Sequence, residues 1–153
     1  MFTNLLLAFD GTREGREALR EAAALAGKLN AKVHLLSVVN LTAGEMMAES
    51  TVGADILEIE QNEMRKVLEE GIAELRNAGL EAAGALSQGP SAAQDIAAFA
   101  RRIGADLIVL GHRDQGFLKR LWNGSVGQQL LAHTPCSVLI AVAPSATHAS
   151  AAA

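Results

Sequence analysis

The stretch LIVLGHRDQGFLKRLWNGSV, residues 107–126, carries residue types suited to binding an anion. An apolar run ends at Gly111, and Gly124 and Ser125 open a predicted helix. A helix N-terminus offers free N–H groups and the positive end of the helix dipole, and a serine adds a hydroxyl donor. Arg113 adds a positive charge between these points. The combination indicates a site for a phosphate-bearing molecule.

Simpler explanations apply to each of these residues taken singly. A glycine after a strand often serves only a tight turn, and Gly-Ser before a helix is most often a plain cap. Lys119 and Arg120, which follow in the same loop, also fit a solvated surface. The case for an anion site therefore depends on whether the fold brings these residues together.

The ends of two other apolar runs add candidate groups. The run NLLLAFD ends at Asp10, whose carboxylate can accept hydrogen bonds from a sugar or cap a helix. The run KVHLLSVVN ends with Val38, Val39 and Asn40. In open parallel sheets, ligands bind beyond the carboxyl ends of the strands. These ends are therefore expected to share one edge with Gly111.

Other site chemistries fit the sequence less well. It contains neither GxxxxGK[ST] nor GxGxxG after the first strand, and it has no GxSxG elbow. The four histidines, at positions 34, 112, 133 and 148, lack the spacing of metal ligands, so no metal site is expected. His112 is the one candidate base near the predicted anion site, and a surface histidine is the simpler explanation.

Hydrophobic patterning predicts an α/β fold, a five-stranded mostly parallel sheet with helices on both faces. The predicted strands are residues 4–10, 32–40, 80–89, 105–111 and 136–142. The predicted helices are residues 13–29, 55–78, 90–104 and 125–134. Strands and helices alternate along the chain, which is typical of right-handed crossovers between parallel strands. Residues 41–54 have no steady period and are expected to form a mobile loop or a broken helix start.

Capping residues set several of these boundaries. Thr12 is expected to cap the first helix, and Asn30 to end it in the left-handed conformation. The third helix has two candidate starts. Either Pro90 takes its first position after a Gly89 cap, or Ser91 caps it together with Gln94.

Composition places the chain among soluble single domains. The chain has 153 residues, half of them hydrophobic, and a net charge of −4, which argues against a broad nucleic-acid-binding surface. Cys136 is the single cysteine, expected to be buried and inert. No apolar run approaches the roughly 20 residues that span a bilayer, so no membrane association and a cytoplasmic location are expected. One domain over residues 1–144 and a disordered tail over 145–153 are predicted.

The chain resembles the universal stress protein family, from LLLAFDGTREGREAL near its start to LLAHTPCSVLIAV near its end. The most specific match is to the family's ATP-binding pattern, G-x2-G-x9-G-[ST]. Here the pattern begins at Gly111 and ends at Gly124 and Ser125 with the family spacing. Asp114 stands where the pattern has its second glycine. The resemblance implies a Rossmann-like fold of the adenine nucleotide alpha hydrolase type.

The resemblance also implies a nucleotide site. Phe9 and Asp10 would lie near the adenosine, and the backbone of Val38 would face the adenine ring. Gly111 would pass close to the ribose and the phosphates. The phosphates would be held by Gly124, Ser125 and Val126, with Arg113 and the backbone of Asp114 nearby. The expected ligand is ATP, with ADP or AMP and a Mg²⁺ ion as alternatives. Many members form homodimers through the last strand, here residues 136–142.

Asp114 leaves three functions open. Its charge beside a phosphate costs roughly 1–4 kcal/mol, which corresponds to about a tenfold to thousandfold loss of affinity. The favoured expectation is a homodimeric stress-response regulator that binds an adenine nucleotide, with Asp114 paired to Arg113 or Lys119 or bound to a cation. The alternative is a dimeric stress protein that binds no nucleotide and acts through protein partners. A slow ATPase, with His112 and Ser125 as its candidate groups, is the third.

Overall fold

The computed structural model describes residues 1–40, 51–111 and 130–142, without the side chains of Asn40 and of residues 51–54. The strands are β1 (Asn4–Ala8), β2 (Lys32–Asn40), β3 (Ala82–Gly89), β4 (Leu107–Gly111) and β5 (Ser137–Ala141). The helices are α1 (Arg13–Leu29), α2 (Thr51–Asn77) and α3 (Ala92–Ile103), and residues 130–133 are also helical. The predicted alternation of strands and helices is confirmed for these parts of the chain.

The five strands form one sheet in the order β3-β2-β1-β4-β5, and every described pair is parallel. The chain moves outward from β1 in one direction through β2 and β3, and then returns to the other side of β1 with β4. Strand order therefore reverses between β1 and β4. In open α/β sheets this reversal opens a crevice at the carboxyl ends of the two central strands.

Helices cover both faces of the sheet, as predicted. On one face, α1 and α2 pack over alternate strand residues, and Leu7, Leu19 and Leu75 are fully buried there. On the other face, α3 packs over the intervening strand residues, with Ile96 and Ile108 buried between them. The strands are apolar on both sides because both sides are covered, which explains their continuous hydrophobic runs.

The helix caps follow local sequence. The Thr12 hydroxyl accepts a hydrogen bond from the Gly15 N–H at 3.1 Å, and Asn30 ends α1 with φ 53°. Of the two candidate starts for α3, the structure contains the second, because the Ser91 hydroxyl accepts from the Gln94 N–H at 3.4 Å. Gly104, at φ 64°, ends that helix as predicted.

The predicted start of α2 was wrong. The helix begins at Thr51 rather than at residue 55, so residues 51–54 are helical, which fits the helix start rather than the loop expected there. Residues 41–50 lie outside the described residues. β1 is two residues shorter than predicted and ends at Ala8, before Phe9 and Asp10. These two residues therefore belong to the β1–α1 loop, at the edge where strand order reverses.

Candidate functional site at the carboxyl edge of the sheet

The first turn of α1 lies at the carboxyl ends of β1 and β4. A β-carbon added at Gly111, the last residue of β4, would lie 3.0 Å from the Glu14 carbonyl oxygen and 3.2 Å from the Ala18 β-carbon. Gly111 therefore allows α1 to pack directly against the end of β4. This is a packing reason for the glycine, and it differs from the close approach of a ligand on which the sequence prediction rests. It places a helix N-terminus at the switch point.

Asp10 shapes the loop that leads into α1. Its Oδ1 accepts hydrogen bonds from the Thr12 N–H at 3.0 Å and from the Thr12 hydroxyl at 2.6 Å. The turn orients the hydroxyl that caps α1. A β-carbon at Gly15 would lie 2.6 Å from the same Asp10 oxygen, so the small residue at 15 leaves room for this turn. Asp10 thus stands at the helix N-terminus as an exposed carboxylate that also supports the Thr12 cap.

α2 covers the outer side of this loop. Gly11 has φ 72°, and a β-carbon there would overlap Val67 Cγ1. The Arg16 guanidinium donates to the Gly11 carbonyl at 3.2 Å and pairs with Glu70 of α2 at 3.0 Å. The backbone at residue 11 is therefore fixed both by its left-handed conformation and by the helix packed upon it.

Phe9 has its side chain in the core rather than in the crevice. The side chain is 2% exposed, and its ring lies beneath Gly71 of α2, where a β-carbon would come within 2.8 Å of Phe9 Cε1. Any contact between Phe9 and a molecule at the edge has to come from its main chain. The prediction that Phe9 lies near the adenosine therefore applies to its main chain alone.

The main chain of Val38 faces the gap beyond β1. The Phe9 N–H donates to the Leu36 carbonyl at 2.9 Å, which continues the β1–β2 ladder past the last strand residue. The next rung would join the Val38 N–H to the Phe9 carbonyl. That carbonyl instead accepts from the buried Ser37 hydroxyl at 2.7 Å. No bond from Val38 to it is found among the described residues.

A second carboxyl group lies at the same edge, near the end of β3. A β-carbon at Gly89 would overlap Asp95 Oδ2, and this oxygen is buried without a hydrogen-bond partner. Burial raises the pKa of Asp95, and a hydrogen bond from Ser87 acts in the opposite direction. The missing side chain at Gly89 therefore provides the space that Asp95 fills.

Five of the predicted site residues lie outside the described residues, and their placement is untested. They are Arg113, Asp114, Gly124, Ser125 and Val126. Of the remaining candidates, the structure brings Asp10, Gly111 and the main chains of Phe9 and Val38 to one edge. The expected anion-binding half of the site therefore remains a prediction.

Two further groups with a shifted pKa, His34 and Cys136, lie away from this edge. His34, near the start of β2, has its pKa lowered by burial and by the charge of Lys32, while Glu81 acts oppositely. Cys136 is half-buried rather than buried as expected from the sequence, and burial followed by the charge of Asp106 raises the pKa of its thiol. A raised thiol pKa disfavours the reactive thiolate, in keeping with the inert cysteine expected from the sequence.

Two other features, a metal-binding cluster and a membrane-spanning helix, are absent from the described ranges. In residues 1–40, 51–111 and 130–142, no three histidine, cysteine or acidic residues are grouped so that they could hold a metal ion. The helices of the same ranges include none that is long and apolar enough to cross a membrane.

Sequence inspection missed Ser37, Asp95 and the packing function of Gly15. A signal for Ser37 was present, because it is a single hydroxyl residue inside the apolar run HLLSVV. A polar side chain at a buried strand position needs a hydrogen-bond partner. The partner here is on the neighbouring strand, so the sequence could suggest that a bond exists but not to which atom.

Comparison with known proteins extends these observations. Residues 1–141 match the family model of the universal stress protein family. Universal stress protein YxiE of Bacillus subtilis is 30% identical over 150 residues, covering 92% of this chain and 99% of that protein. A crystal structure of a universal stress protein family member from Burkholderia pseudomallei is 27% identical, covers 93% of this chain and 97% of that chain, and superposes with a TM-score of 0.74.

A second similar structure contains a nucleotide. It is the universal stress protein from Archaeoglobus fulgidus in complex with dAMP, which is 20% identical, with a TM-score of 0.61 over 91% of this chain and 97% of that chain. At this identity the likeness concerns the fold, which is the Rossmann-like parallel sheet described above. The match to the family model extends over nearly the whole chain. This protein therefore belongs to the universal stress protein family.

Proposed function

We propose that this stress protein binds an adenine nucleotide at the carboxyl edge of the sheet, between the ends of β1 and β4, and acts as a regulator rather than as a fast enzyme. One observation carries the proposal. The N-terminus of α1, capped by Thr12 and packed against Gly111, lies at the point where strand order reverses. The dAMP complex of the Archaeoglobus neighbour supports an adenine nucleotide as the ligand class.

Each part of the nucleotide has a proposed contact. The ribose lies against Asp10 and the end of β4 at Gly111. The adenine ring lies at the end of β2, where the Val38 main chain faces the gap. The phosphates extend towards residues 113–126, where the Gly124–Val126 amides, the Ser125 hydroxyl and Arg113 hold them. A Mg²⁺ ion between the phosphates and Asp114 offsets the carboxylate charge.

Calorimetric titration tests this function. ATP, ADP and AMP are each titrated into the purified protein to millimolar concentration, with and without Mg²⁺. Saturable binding of at least one of them, stronger for the adenine nucleotide than for the guanine analogue, is expected. If none binds under any of these conditions, the proposal is wrong.

Asp114 is the basis of the alternative function. In this second candidate the carboxylate prevents binding, and the protein acts as a dimeric interaction partner. An Asp114→Gly variant separates the two. If the natural protein binds ATP, the variant binds ATP about tenfold or more tightly in the absence of Mg²⁺, because a phosphate repulsion is removed. If only the variant binds, the interaction protein is favoured.

The proposed assembly is a homodimer formed through β5. This strand pairs with β4 on one side, and no partner for its other side is found among the described residues. Leu139 is 40% exposed and Val142 65% exposed. An apolar edge strand is a liability unless it is covered. Light scattering on a sizing column should give twice the chain mass, and a Leu139→Asp variant should give the monomer mass.

A slow ATPase is the least favoured function. Its candidate groups, His112 and Ser125, lie outside the described residues. Hydrolysis that persists undiminished in His112→Ala and Ser125→Ala would remove both from a catalytic role. The proposed location is cytoplasmic, without a membrane or nucleic acid as partner.

A further inference from the structure

We infer that Ser37 is a positioning residue that frees the Val38 amide for a ligand, by satisfying in its place the last carbonyl oxygen of the β1–β2 ladder. The consequence for ligand binding rests on the proposed function, whereas the rearrangement of the hydrogen bonds does not. Within residues 1–39, 55–111 and 130–142, Ser37 is the one polar residue that is buried, with 0% of its surface exposed.

The ladder shows which way each amide points. The Lys32 N–H donates to the Thr3 carbonyl at 3.0 Å, and the Leu36 carbonyl accepts from Phe9. The even-numbered residues of β2 therefore direct their main-chain groups towards β1. The Val33 N–H donates to the Glu81 carbonyl at 3.0 Å, so the odd-numbered residues face β3. Val38 is even-numbered, and its N–H points to β1.

Continuation of this ladder would pair the Val38 N–H with the Phe9 carbonyl. The register supports this, because Ala8 lies opposite Leu36, and a parallel strand bonds alternate residues. The donor found there is the Ser37 hydroxyl, at 2.7 Å. The Ser37 side chain has thus replaced the Val38 N–H as the donor to the last carbonyl of the ladder.

The position of the Ser37 side chain explains how this substitution arises. Val33 and Leu35 contribute to the core beneath α1 and α2, so Ser37, two residues further along β2, projects to the same face. Its hydroxyl reaches the Phe9 carbonyl from that face, at 2.7 Å. The chain then turns at Asp10 and Gly11, which leaves the Val38 N–H directed into the crevice at the sheet edge.

The freed group is suited to reading the edge of a base. The Val38 N–H, near the end of β2, is a donor with a fixed direction. The Val38 carbonyl is an acceptor on the same side of the strand. The Val38 N–H has no bond to the Phe9 carbonyl among the described residues, so a ligand that supplies an acceptor there gains a hydrogen bond. An aromatic base with ring nitrogen acceptors meets this need, whereas a phosphate chain bound beyond β4 does not reach it.

Amide hydrogen exchange tests the rearrangement without any ligand. In the natural protein, the Val38 N–H should exchange at least about tenfold faster than the Leu36 N–H, because it lacks a ladder bond. In Ser37→Ala, the Phe9 carbonyl loses its hydroxyl donor and accepts from Val38, so Val38 becomes protected. Equal protection of Leu36 and Val38 in the natural protein, or no change in the variant, would overturn the inference.

Titrations with ATP and with inorganic tripolyphosphate test the consequence for binding. Ser37→Ala should weaken ATP binding about fivefold to tenfold, the equivalent of one hydrogen bond, and leave tripolyphosphate binding unchanged. Equal weakening of both ligands, or of neither, would refute a function in base binding. Thr134→Ala, which removes another hydroxyl-to-carbonyl bond, of 3.0 Å to Cys136, is the matched control and should behave like the natural protein. If the natural protein binds no nucleotide, the proposed function fails, and hydrogen exchange alone decides this inference.

Discussion

Replacement of Gly11 by alanine should destabilise the protein much more than the same replacement at Gly79. Both glycines have a left-handed backbone, with φ 72° and φ 80°. An L-residue in this conformation costs roughly 1–2 kcal/mol at either position. The two sites differ in the space around them. A β-carbon at Gly79 has no atom within 4 Å, whereas one at Gly11 would overlap Val67 Cγ1 and lie 3.3 Å from Val67 Cγ2.

The contact with Val67 sets the expected difference. Insertion of a methyl group into a packed site costs about 1–3 kcal/mol. Gly11→Ala should therefore cost about 2–5 kcal/mol in total and Gly79→Ala about 1–2 kcal/mol. Urea unfolding followed by far-ultraviolet circular dichroism measures both values. The backbone term and the loss of unfolded-state freedom are common to the two variants, so the difference isolates the packing of α2 on the loop.

A double variant completes this test. Gly11→Ala combined with Val67→Ala should cost less stability than the sum of the two single replacements, with a coupling free energy of about 0.5–3 kcal/mol. Equal destabilisation by Gly11→Ala and Gly79→Ala, or strict additivity in the double variant, would show that α2 does not fix the loop next to Asp10. The proposed site would then lack one of its supports.

Three further predictions concern groups away from the site. The pKa of His34 is below the ordinary value of 6.5, so folded His34 binds fewer protons than unfolded His34. The free energy of unfolding, measured in urea, should therefore fall as pH decreases from 6.5, and His34→Gln should flatten this dependence. Asp106→Ala should cost about 1–3 kcal/mol by the same assay, because Asp106 accepts from Thr3 N–H at 2.7 Å and Asn4 N–H at 3.0 Å; no loss would contradict its structural function. Cys136 should react with a thiol reagent more slowly at pH 8 than a free cysteine, and an equal rate would contradict its raised pKa.

The parts of the fold set by local sequence could be predicted. The bounds of α1 depend on the Thr12 hydroxyl and on Asn30, whose interactions lie within a few residues. The parallel sheet followed from apolar runs that need cover on both faces. The start of α2 did not follow, because residues 51–54, with a glycine and no apolar period, show no helical pattern.

The sequence predicted the edge of the sheet at which the candidate site lies, but not the contacts within it. The pattern that starts at Gly111 located the carboxyl end of β4, but the contact of Gly111 with Glu14 depends on how α1 packs. The bond from Ser37 to Phe9 joins two strands, and its partner cannot be inferred from either strand. Contacts between residues that are distant in the sequence depend on how the elements pack, so the sequence pattern did not predict them.

The most direct test of the proposed site is the location of ATP on the sheet by amide chemical-shift mapping. On addition of ATP to the ¹⁵N-labelled protein, the largest shifts should fall on Gly11, Thr12, Val38 and Gly111 at the carboxyl edge. Amides at the opposite edge, such as that of Ala105, should remain unchanged. Large shifts confined to the opposite edge, or no shifts at millimolar ATP with Mg²⁺, would contradict a nucleotide site at the switch point.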